Sequence, residues 1–164
     1  MSEIKRYDEK QEKQVITWTK RIGRLQTWLY QKSGGRFGTT FFGGKVDVCL
    51  LTTTGRKSGQ LRTVPLLFLP DGERTVVVGS RVGSNNHAIW YLNLLEDPNC
   101  TLQIGPNIDQ CVAKQASDEE VQAYWPRLVA MYEGFDEYKA RADDAGRKIP
   151  VIILEPINRF GVNA

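Results

Sequence analysis

The sequence predicts a mainly β protein of the α+β class, a small antiparallel barrel with peripheral helices. Apolar runs of strand length follow one another along the chain, one helical pattern interrupts them, and two more come late, just before a last strand. The strand–helix–strand alternation of a doubly wound parallel sheet is missing. With 164 residues the chain is long enough to bury one sizeable core.

The N-terminal part is predicted to be an amphipathic helix joined to the barrel by a glycine-rich link. Residues 1–13 are charged and are expected to fray, and the helix should run over 15–32. Its apolar positions, three or four residues apart, are Val15, Trp18, Ile22, Leu25 and Leu29. The link 33–44 marks the boundary between an N-terminal segment, 1–36, and a barrel domain, 37–164.

Six strands are predicted in the barrel domain, at 46–53, 61–69, 75–80, 101–104, 111–114 and 150–154. Turn residues stand between neighbouring strands at 70–72 and 105–107. Helical patterns cover 87–95, 117–132 and a shorter stretch through 138. Ser117 and Glu120 form a capping box, in which the serine is the N-cap and the glutamate stands three residues on, and this box starts the second of these helices.

Charge is distributed unevenly along the chain. The net charge is +3, but residues 1–36 hold nine Lys or Arg against four acids, so the remainder sums to −2. A protein that coats nucleic acid is normally basic over its folded body, so nucleic acid is not expected as a partner. No apolar run approaches the roughly 20 residues of a membrane span, and the polar N-terminus does not resemble a signal peptide, so we expect a cytoplasmic protein.

Several reaction chemistries are excluded by the residues present. Cys49, Cys100 and Cys111 lack metal-ligand spacing and lie in apolar strands, which indicates buried free thiols rather than a zinc site or a disulfide. His87 is the only histidine, which excludes a multi-histidine metal site and favours a capping or packing role. Neither a GxGxxG nor a GxSxG motif is found. An enzyme built on this chain would therefore take its reactivity from an organic cofactor.

A short basic loop is the most informative motif. Gly55-Arg56-Lys57-Ser58-Gly59 lies between two predicted strands, and Arg62 follows, so three cations fall within seven residues. A Walker A loop needs a glycine directly before its Lys-Ser pair and a helix after it, whereas here Arg56 precedes Lys57 and a strand follows. The residues leave two interpretations, a solvated hairpin turn or a binding site for another anion.

Five segments together resemble one family. TTTGRKSGQLRTVPL, VVVGSRVG, IWYLNLLEDP, AYWPRLVAMY and IPVIILEP are similar, in order and spacing, to the deazaflavin-dependent nitroreductases. These are oxidoreductases that use coenzyme F420, an 8-hydroxy-5-deazaflavin, on a split β-barrel. The similarity runs from about Trp18 to Pro156, nearly the whole chain, so the resemblance implies a split barrel and F420 as the cofactor.

The resemblance also implies which residues hold the cofactor tail. This tail is a phosphate followed by a lactyl-oligoglutamate, and Arg56, Lys57, Ser58 and Arg62 match the family positions that bind it. Arginine suits the task because its planar fork binds phosphate or carboxylate bidentately. On this interpretation the loop is a binding site and not an idle turn.

The deazaflavin ring, by the same resemblance, would lie over one strand between two further walls. The strand residues are Thr63, Val64, Pro65, Leu66 and Leu67. The second wall consists of Val78, Gly79, Ser80 and Arg81. The third consists of Ile89, Trp90, Tyr91, Leu92 and Asn93, where contacts of the backbone and of Trp90 are expected before one of Leu92.

The residues expected to act on the substrate are Ser80, Tyr132 and Tyr138. In the family the serine hydrogen-bonds the substrate, and tyrosines after the capping-box helix close over the ring. Phe135 stands where a third tyrosine is usual, so that hydroxyl is unavailable. Val82 replaces a common glycine and is expected to narrow the mouth of the site.

The implied reaction is hydride transfer from the reduced deazaflavin to a quinone, an activated alkene or a nitroaromatic. Ser80 would stabilise the developing negative charge, and the proton would come from solvent. Two alternatives stay open, an FMN enzyme on the same barrel and a non-catalytic protein that binds F420. The oligomeric state also stays open between monomer and dimer.

The apolar stripe of the N-terminal helix has two interpretations. With Trp18, Trp28 and a basic face, the helix has the composition of an interfacial anchor, which would bring the protein to the inner membrane surface. The simpler interpretation, which we expect, is that the stripe packs on the barrel.

Overall fold

The computed structural model describes residues 8–41 and 43–157, which form an antiparallel barrel and four helices. The strands are β1 (Thr40–Phe41), β2 (Val46–Thr54), β3 (Leu61–Asp71), β4 (Arg74–Val78), β5 (Asn99–Ile104), β6 (Asn107–Gln115) and β7 (Val151–Pro156). The helices are α1 (Glu9–Lys32), α2 (Ile89–Glu96), α3 (Asp118–Met131) and α4 (Gly134–Asp144). The predicted fold class is confirmed.

The barrel closes through β2, which pairs with β3 along one edge and with β5 along the other. The strand order is β2-β3-β4-β7-β6-β5, and every pair is antiparallel. The short strand β1 adds to the start of β2, where Thr40 faces Asp47. Closure satisfies the hydrogen-bonding groups that an open sheet leaves at its edges.

Strand alternation divides the buried side chains into an interior and an outer cluster. In β4, Val77 belongs to the interior cluster, whereas Val76 and Val78 belong to the outer cluster beneath α3 and α4. Helix α2 adds Trp90 and Tyr91 to the interior. The interior also contains three cysteines that are buried and free, as predicted: Cys49, Cys100 and Cys111.

Differences from the predicted elements lie mainly at their ends. Helix α4 continues to Asp144, six residues past the predicted end, and β1 lies inside the predicted link. Helix α2 starts at Ile89 because Ala88 is extended and serves as its N-cap. The capping box of α3 is confirmed, since Glu120 N donates to Ser117 Oγ at 3.2 Å and Ser117 N donates to Glu120 Oε2 at 2.9 Å.

Helix α1 starts earlier than predicted. The expectation that residues up to 13 fray is wrong from Glu9 onward, and residues 1–7 lie outside the described residues. The reason is a second capping box, in which Gln11 N donates to Asp8 Oδ1 at 2.7 Å and Asp8 N donates to Gln11 Oε1 at 3.2 Å. The box satisfies two backbone donors that would otherwise be open at the helix start.

The prediction that the apolar stripe of α1 packs on the barrel is wrong. The buried side of the helix is formed by Gly23, Gln26 and Tyr30. Tyr30 Oη donates to Val48 O at 3.1 Å and accepts from Gly105 N at 2.7 Å, so polar contacts with the barrel backbone decide which side faces inward. The stripe is left in solvent, with exposed fractions of 40% to 63% at Trp18, Ile22, Leu25 and Leu29. Among the described residues no helix is both long and apolar enough to span a membrane.

Candidate active site

The basic loop is an ordered hairpin connection between β2 and β3. Gly55 N donates to Gln60 O at 2.8 Å, and Gly59 N donates to Gly55 O at 2.7 Å. Gly59 adopts a φ of 68°, which glycine reaches without strain. Because the turn closes on its own backbone, the side chains of Arg56, Lys57 and Ser58 are exposed at its tip.

Asn93 fixes this loop from below. Its side chain is 2% exposed, its Oδ1 accepts from Arg56 N at 3.1 Å, and its Nδ2 donates to Thr53 Oγ1 at 3.0 Å. The sequence predicts Asn93 as a cofactor contact, but the structure places it beneath the loop. Its side chain therefore positions Arg56 and is itself turned away from solvent.

The cations of this region, Arg56, Lys57 and Arg62, form no ion pair with a carboxylate in the described part of the chain. Arg62 Nη2 donates only to Gln60 Oε1, at 3.2 Å, a neutral partner two residues away. Three exposed cations with no counter-ion favour a polyanionic ligand, which would neutralise them together.

The predicted floor of the ring site divides between the two faces of β3. Val64 and Leu66 pack against the interior cluster, so their side chains point into the barrel. Thr63, Pro65 and Leu67 lie on the outer face, where Thr63 Oγ1 is 2.8 Å from Thr52 Oγ1 and Leu67 packs against the outer cluster. Only the outer three can offer side chains to a ring on that face.

Helix α1 crosses the outer face of β3 at Pro65. A Cβ on Gly23 would lie 3.5 Å from Pro65 Cγ, so the helix backbone rests directly on the proline ring. The sequence shows no signal for this contact, because a lone glycine in a helical pattern does not reveal what it packs against. The helix therefore covers part of Pro65 and borders the predicted ring site at that point.

The second wall is tightly constrained. Gly79 N donates to Pro150 O at 2.9 Å, and a Cβ on Gly79 would stand 2.7 Å from Pro150 Cγ, so only glycine fits without a shift. Arg81 and Val82 follow in the left-handed region, at φ of 44° and 56°, which is strained for a β-branched valine. Ser80 is half-buried between these constrained positions.

Two aromatic residues of the predicted third wall lie in the barrel interior. Trp90 and Tyr91 are each 7% exposed, and Tyr91 Oη donates to Gln115 Oε1 at 2.9 Å. Ile89 is exposed at the start of the helix. The third wall therefore offers a ligand its backbone and Ile89 more than the two aromatic side chains.

Tyr132 and Tyr138 stand together at the corner between α3 and α4. Their hydroxyl oxygens are 3.0 Å apart, and burial, followed by the hydrogen bond with Tyr132, raises the pKa of Tyr138. Phe135, 3% exposed, meets the Tyr132 ring edge-on at a centroid distance of 5.3 Å. Both tyrosines and Leu67 of β3 pack against the same outer cluster.

The structure brings the second wall and α4 into contact. A Cβ on Gly83 would lie 2.7 Å from Tyr138 O and 2.8 Å from Arg141 Cβ, so the segment after Ser80 packs directly on that helix. A cleft of about 440 Å³ opens beside it, lined by Val82, Gly83, Arg141 and Glu12 of α1 among others. The segment after Ser80, α4 and the start of α1 thus line one cleft.

Arg147 is a residue of this region that sequence reasoning missed. It is 6% exposed and donates to three backbone carbonyls, Ser84 O at 2.7 Å, Ser80 O at 2.7 Å and Gly79 O at 3.2 Å. Its Nη1 is 3.5 Å from His87 Nδ1, and burial, followed by the charge of Arg147, lowers the pKa of His87. A single arginine in a polar link gives no sign of such a role in the sequence.

His87 has a packing role, as the sequence favours. Its ring lies 5.1 Å from that of Tyr91, and its backbone carbonyl accepts from Arg81 Nη1 at 3.0 Å. Among the described residues no group of three His, Cys, Asp or Glu could hold a metal ion.

Comparisons with known proteins identify the family of the chain. A model of the F420H(2)-dependent quinone reductase family matches residues 22–156. An F420H(2)-dependent quinone reductase of Mycobacterium tuberculosis is 30% identical over 133 residues, which cover 80% of this chain and 87% of that protein. A second M. tuberculosis protein, provisionally named for the same activity, is 38% identical over 111 residues, 68% of this chain and 91% of its own length.

Two solved structures are similar in fold as well as sequence. The F420-H2 dependent reductase FDR-A is 34% identical with a TM-score of 0.60, over 66% of this chain and 93% of that one. A structure described as a domain-swapped dimer is 32% identical with a TM-score of 0.62, over 80% of this chain and 96% of its own. The chain therefore belongs to the F420H(2)-dependent quinone reductase family.

Proposed function

We propose that the chain binds coenzyme F420 across the basic loop and the outer face of β3 and reduces a quinone there. One observation carries the residue assignment: Arg56 and Lys57 on the ordered loop and Arg62 at the start of β3 are exposed, without an ion pair to any carboxylate of the described residues. Family membership supports F420 as the cofactor and a quinone as the acceptor.

The residues present fit the tail of this cofactor. A phosphate and several carboxylates need cations and amide donors at the surface, and the loop offers three cations, the Ser58 hydroxyl and the backbone around Gly59. Ser80, Arg81 and the backbone of α2 would flank the ring. FMN carries one phosphate and uses fewer of these cations, so the excess charge favours F420.

The protein contributes positioning, exclusion of water and charge stabilisation. When bound, reduced F420 supplies a hydride, and the quinone becomes a hydroquinone after also taking one proton from solvent. Ser80 donates a hydrogen bond to the quinone oxygen on which negative charge develops. Tyr132 and Tyr138, which pack against the outer cluster, close the far side of the site.

Titration with F420, followed by turnover, tests the proposal. The variants Lys57→Ala and Arg62→Ala should each weaken F420 binding about tenfold or more, since a hydrogen bond to a charged group contributes about 1.5–3 kcal/mol. Arg36→Ala, which removes an exposed cation outside the loop, is the matched control and should bind normally. If both variants bind F420 normally, the loop is a solvated turn and not a binding site for the cofactor.

The same assays separate the alternatives. Sub-micromolar binding of FMN without binding of F420 would identify a flavin enzyme. Tight F420 binding, with no oxidation of the reduced cofactor by menadione or by a nitroaromatic in stopped flow, would identify a non-catalytic binding protein. Turnover with menadione supports the proposed reaction.

We propose, second, that the exposed stripe of α1 contacts an anionic lipid surface. Trp18, Ile22, Leu25 and Leu29 are exposed along one side of the helix. Seven cations and no acid occur between Glu12 and Asp47, so the stripe is flanked by uncompensated positive charge. Exposed tryptophan beside such charge is typical of helices that lie in the interface of an anionic membrane.

Co-sedimentation with vesicles tests this contact. The full chain should bind phosphatidylglycerol vesicles more strongly than phosphatidylcholine vesicles, and Trp18→Ser with Leu25→Ser should abolish binding. Gln31→Ser, an exposed polar position of the same helix, is the control and should bind normally. If the double variant sediments like the wild type, the stripe does not contact lipid. If the wild type stays in solution and is a dimer that the double variant breaks, the stripe binds a second copy.

A further inference from the structure

We propose that Arg147 is a positioning residue for the reaction, a buried cation that fixes the backbone of residues 79–84 and, through it, the hydroxyl of Ser80. The inference rests on the proposed function, in which Ser80 faces the acceptor. It assigns a role to a residue that lies outside the cofactor-binding loop and outside the walls of the ring site.

The geometry of Arg147 suits the task. Its Nε donates to Ser84 O, its Nη2 to Ser80 O, both at 2.7 Å, and its Nη1 to Gly79 O at 3.2 Å. One rigid planar group therefore ties both ends of a six-residue segment to a single point. A lysine at this position would keep the charge but lose the fixed fork that reaches three carbonyls at once.

Burial of the Arg147 cation is energetically unfavourable if its role is only structural. Arg147 is 6% exposed, and among the described residues no carboxylate forms an ion pair with it. Burial lowers the pKa of Arg147, the charge of Arg81 lowers it further and that of Glu12 opposes the shift only in part, so the buried cation is unfavourable even with three carbonyl dipoles around it. The charge lies at the Ser80 carbonyl, in the segment that the proposed function places beside the acceptor, where it would stabilise the negative charge that develops there.

The segment held by Arg147 needs such a clamp. Arg81 and Val82 have φ of 44° and 56°, and two further arginine contacts restrain the strained turn. Arg81 Nη1 donates to His87 O at 3.0 Å, and Arg141 Nη1 donates to Val82 O at 3.2 Å. Release of the Arg147 contacts would let these residues relax toward negative φ and would move Ser80 from its place.

The experiment compares Arg147→Lys and Arg147→Met with Lys148→Met, which removes an exposed cation from the adjacent position. We measure Kd for F420, kcat and KM with menadione, and Tm. Both Arg147 variants should lose at least tenfold in kcat, because a small displacement of a reacting group strongly slows the reaction. The Kd for F420 should change less than threefold. Lys148→Met should match the wild type in all four.

A double-mutant cycle separates positioning from a general loss of structure. In the Ser80→Ala background, Arg147→Lys should cost less than twofold in kcat, since the hydroxyl that it positions is already gone. If Arg147→Met fails to fold, Arg147→Lys still decides the question. An active wild type with an unaffected Arg147→Lys, or a tenfold loss that persists without Ser80, overturns this inference alone. A wild type that neither binds F420 nor reduces menadione overturns the proposed function and this inference with it.

Discussion

Asn93→Ala tests whether the basic loop binds its ligand because it is held in one place. The buried amide accepts from Arg56 N at 3.1 Å and donates to Thr53 Oγ1 at 3.0 Å, so it ties the loop to the helix beneath it. The substitution removes both hydrogen bonds and keeps every cation. A change in binding would therefore come from the position of the loop and not from its charge.

The expected magnitudes follow from these two contacts. Loss of the bond to the buried Thr53 hydroxyl costs about 1–3 kcal/mol and loss of the part-buried bond to Arg56 N about 1 kcal/mol, so Asn93→Ala should lower the free energy of unfolding by about 2–4 kcal/mol. In a domain of this size that corresponds to a fall in Tm of about 5–15 °C. Displacement of Arg56 should cost about 1.4 kcal/mol of binding, a tenfold rise in Kd for F420.

Thermal unfolding and fluorescence titration with F420 measure both quantities. Thr53→Val is the matched control, because it removes only the partner of the amide nitrogen and leaves the contact to Arg56 N intact. It should lose about 1 kcal/mol of stability with an unchanged Kd. If Asn93→Ala lowers Tm but binds F420 as tightly as Thr53→Val, the idea of a loop positioned by Asn93 is refuted.

Two further predictions concern stability. The hydrogen bond from Tyr124 is the main reason that the pKa of Asp71 falls from 3.8 to about 2, so this carboxylate stabilises the fold above pH 4 and the stabilisation disappears as pH falls toward 2. The wild-type advantage over Asp71→Asn in urea denaturation should shrink across that window, and a constant difference would contradict it. Gly79→Ala should lower Tm, because the new Cβ would stand 2.7 Å from Pro150 Cγ. Gly23→Ala should leave Tm unchanged or raise it, because a Cβ at this helical position would lie 3.5 Å from its nearest neighbour. Equal Tm values for the two variants would count against this account of the second wall.

The family and the fold class were readable from the sequence. Five motifs in the right order predicted a deazaflavin-dependent oxidoreductase on a barrel, and the family match and the six-stranded closure confirm this. The capping box at Ser117 and Glu120 and the buried thiols were also predicted correctly. Each of these depends on local pattern or on motifs that a single stretch of chain contains.

The site was predictable only as a set of segments. Thr63 to Leu67 was predicted as one surface, but the period of two in a strand sends Val64 and Leu66 into the barrel. Trp90 and Tyr91 were predicted at the ring, yet barrel closure takes both aromatic side chains into its core. Their contacts with a cofactor, like those of the other site residues, stay predictions.

Helix α1 shows most clearly which features the sequence predicts and which it does not. Its apolar periodicity predicted a helix correctly and the buried face wrongly, because Gly23, Gln26 and Tyr30 match the barrel surface better than the stripe does. The sequence of a helix does not encode the shape of the surface that the helix meets, or the carbonyl groups that are available there as hydrogen-bond acceptors.

By itself the sequence determined the family and the barrel, since these depend on residue types in order along the chain, and anion binding by the loop at 55–60 stays a prediction. Only the tertiary structure decided that Asn93 holds this loop, that Arg147 clamps the Ser80 segment and that the Trp18 side of α1 is left in solvent. The physical reason is that these roles depend on contacts between residues as far as 67 positions apart, such as Arg147 Nη2 with Ser80 O. Such contacts exist only once the barrel has closed.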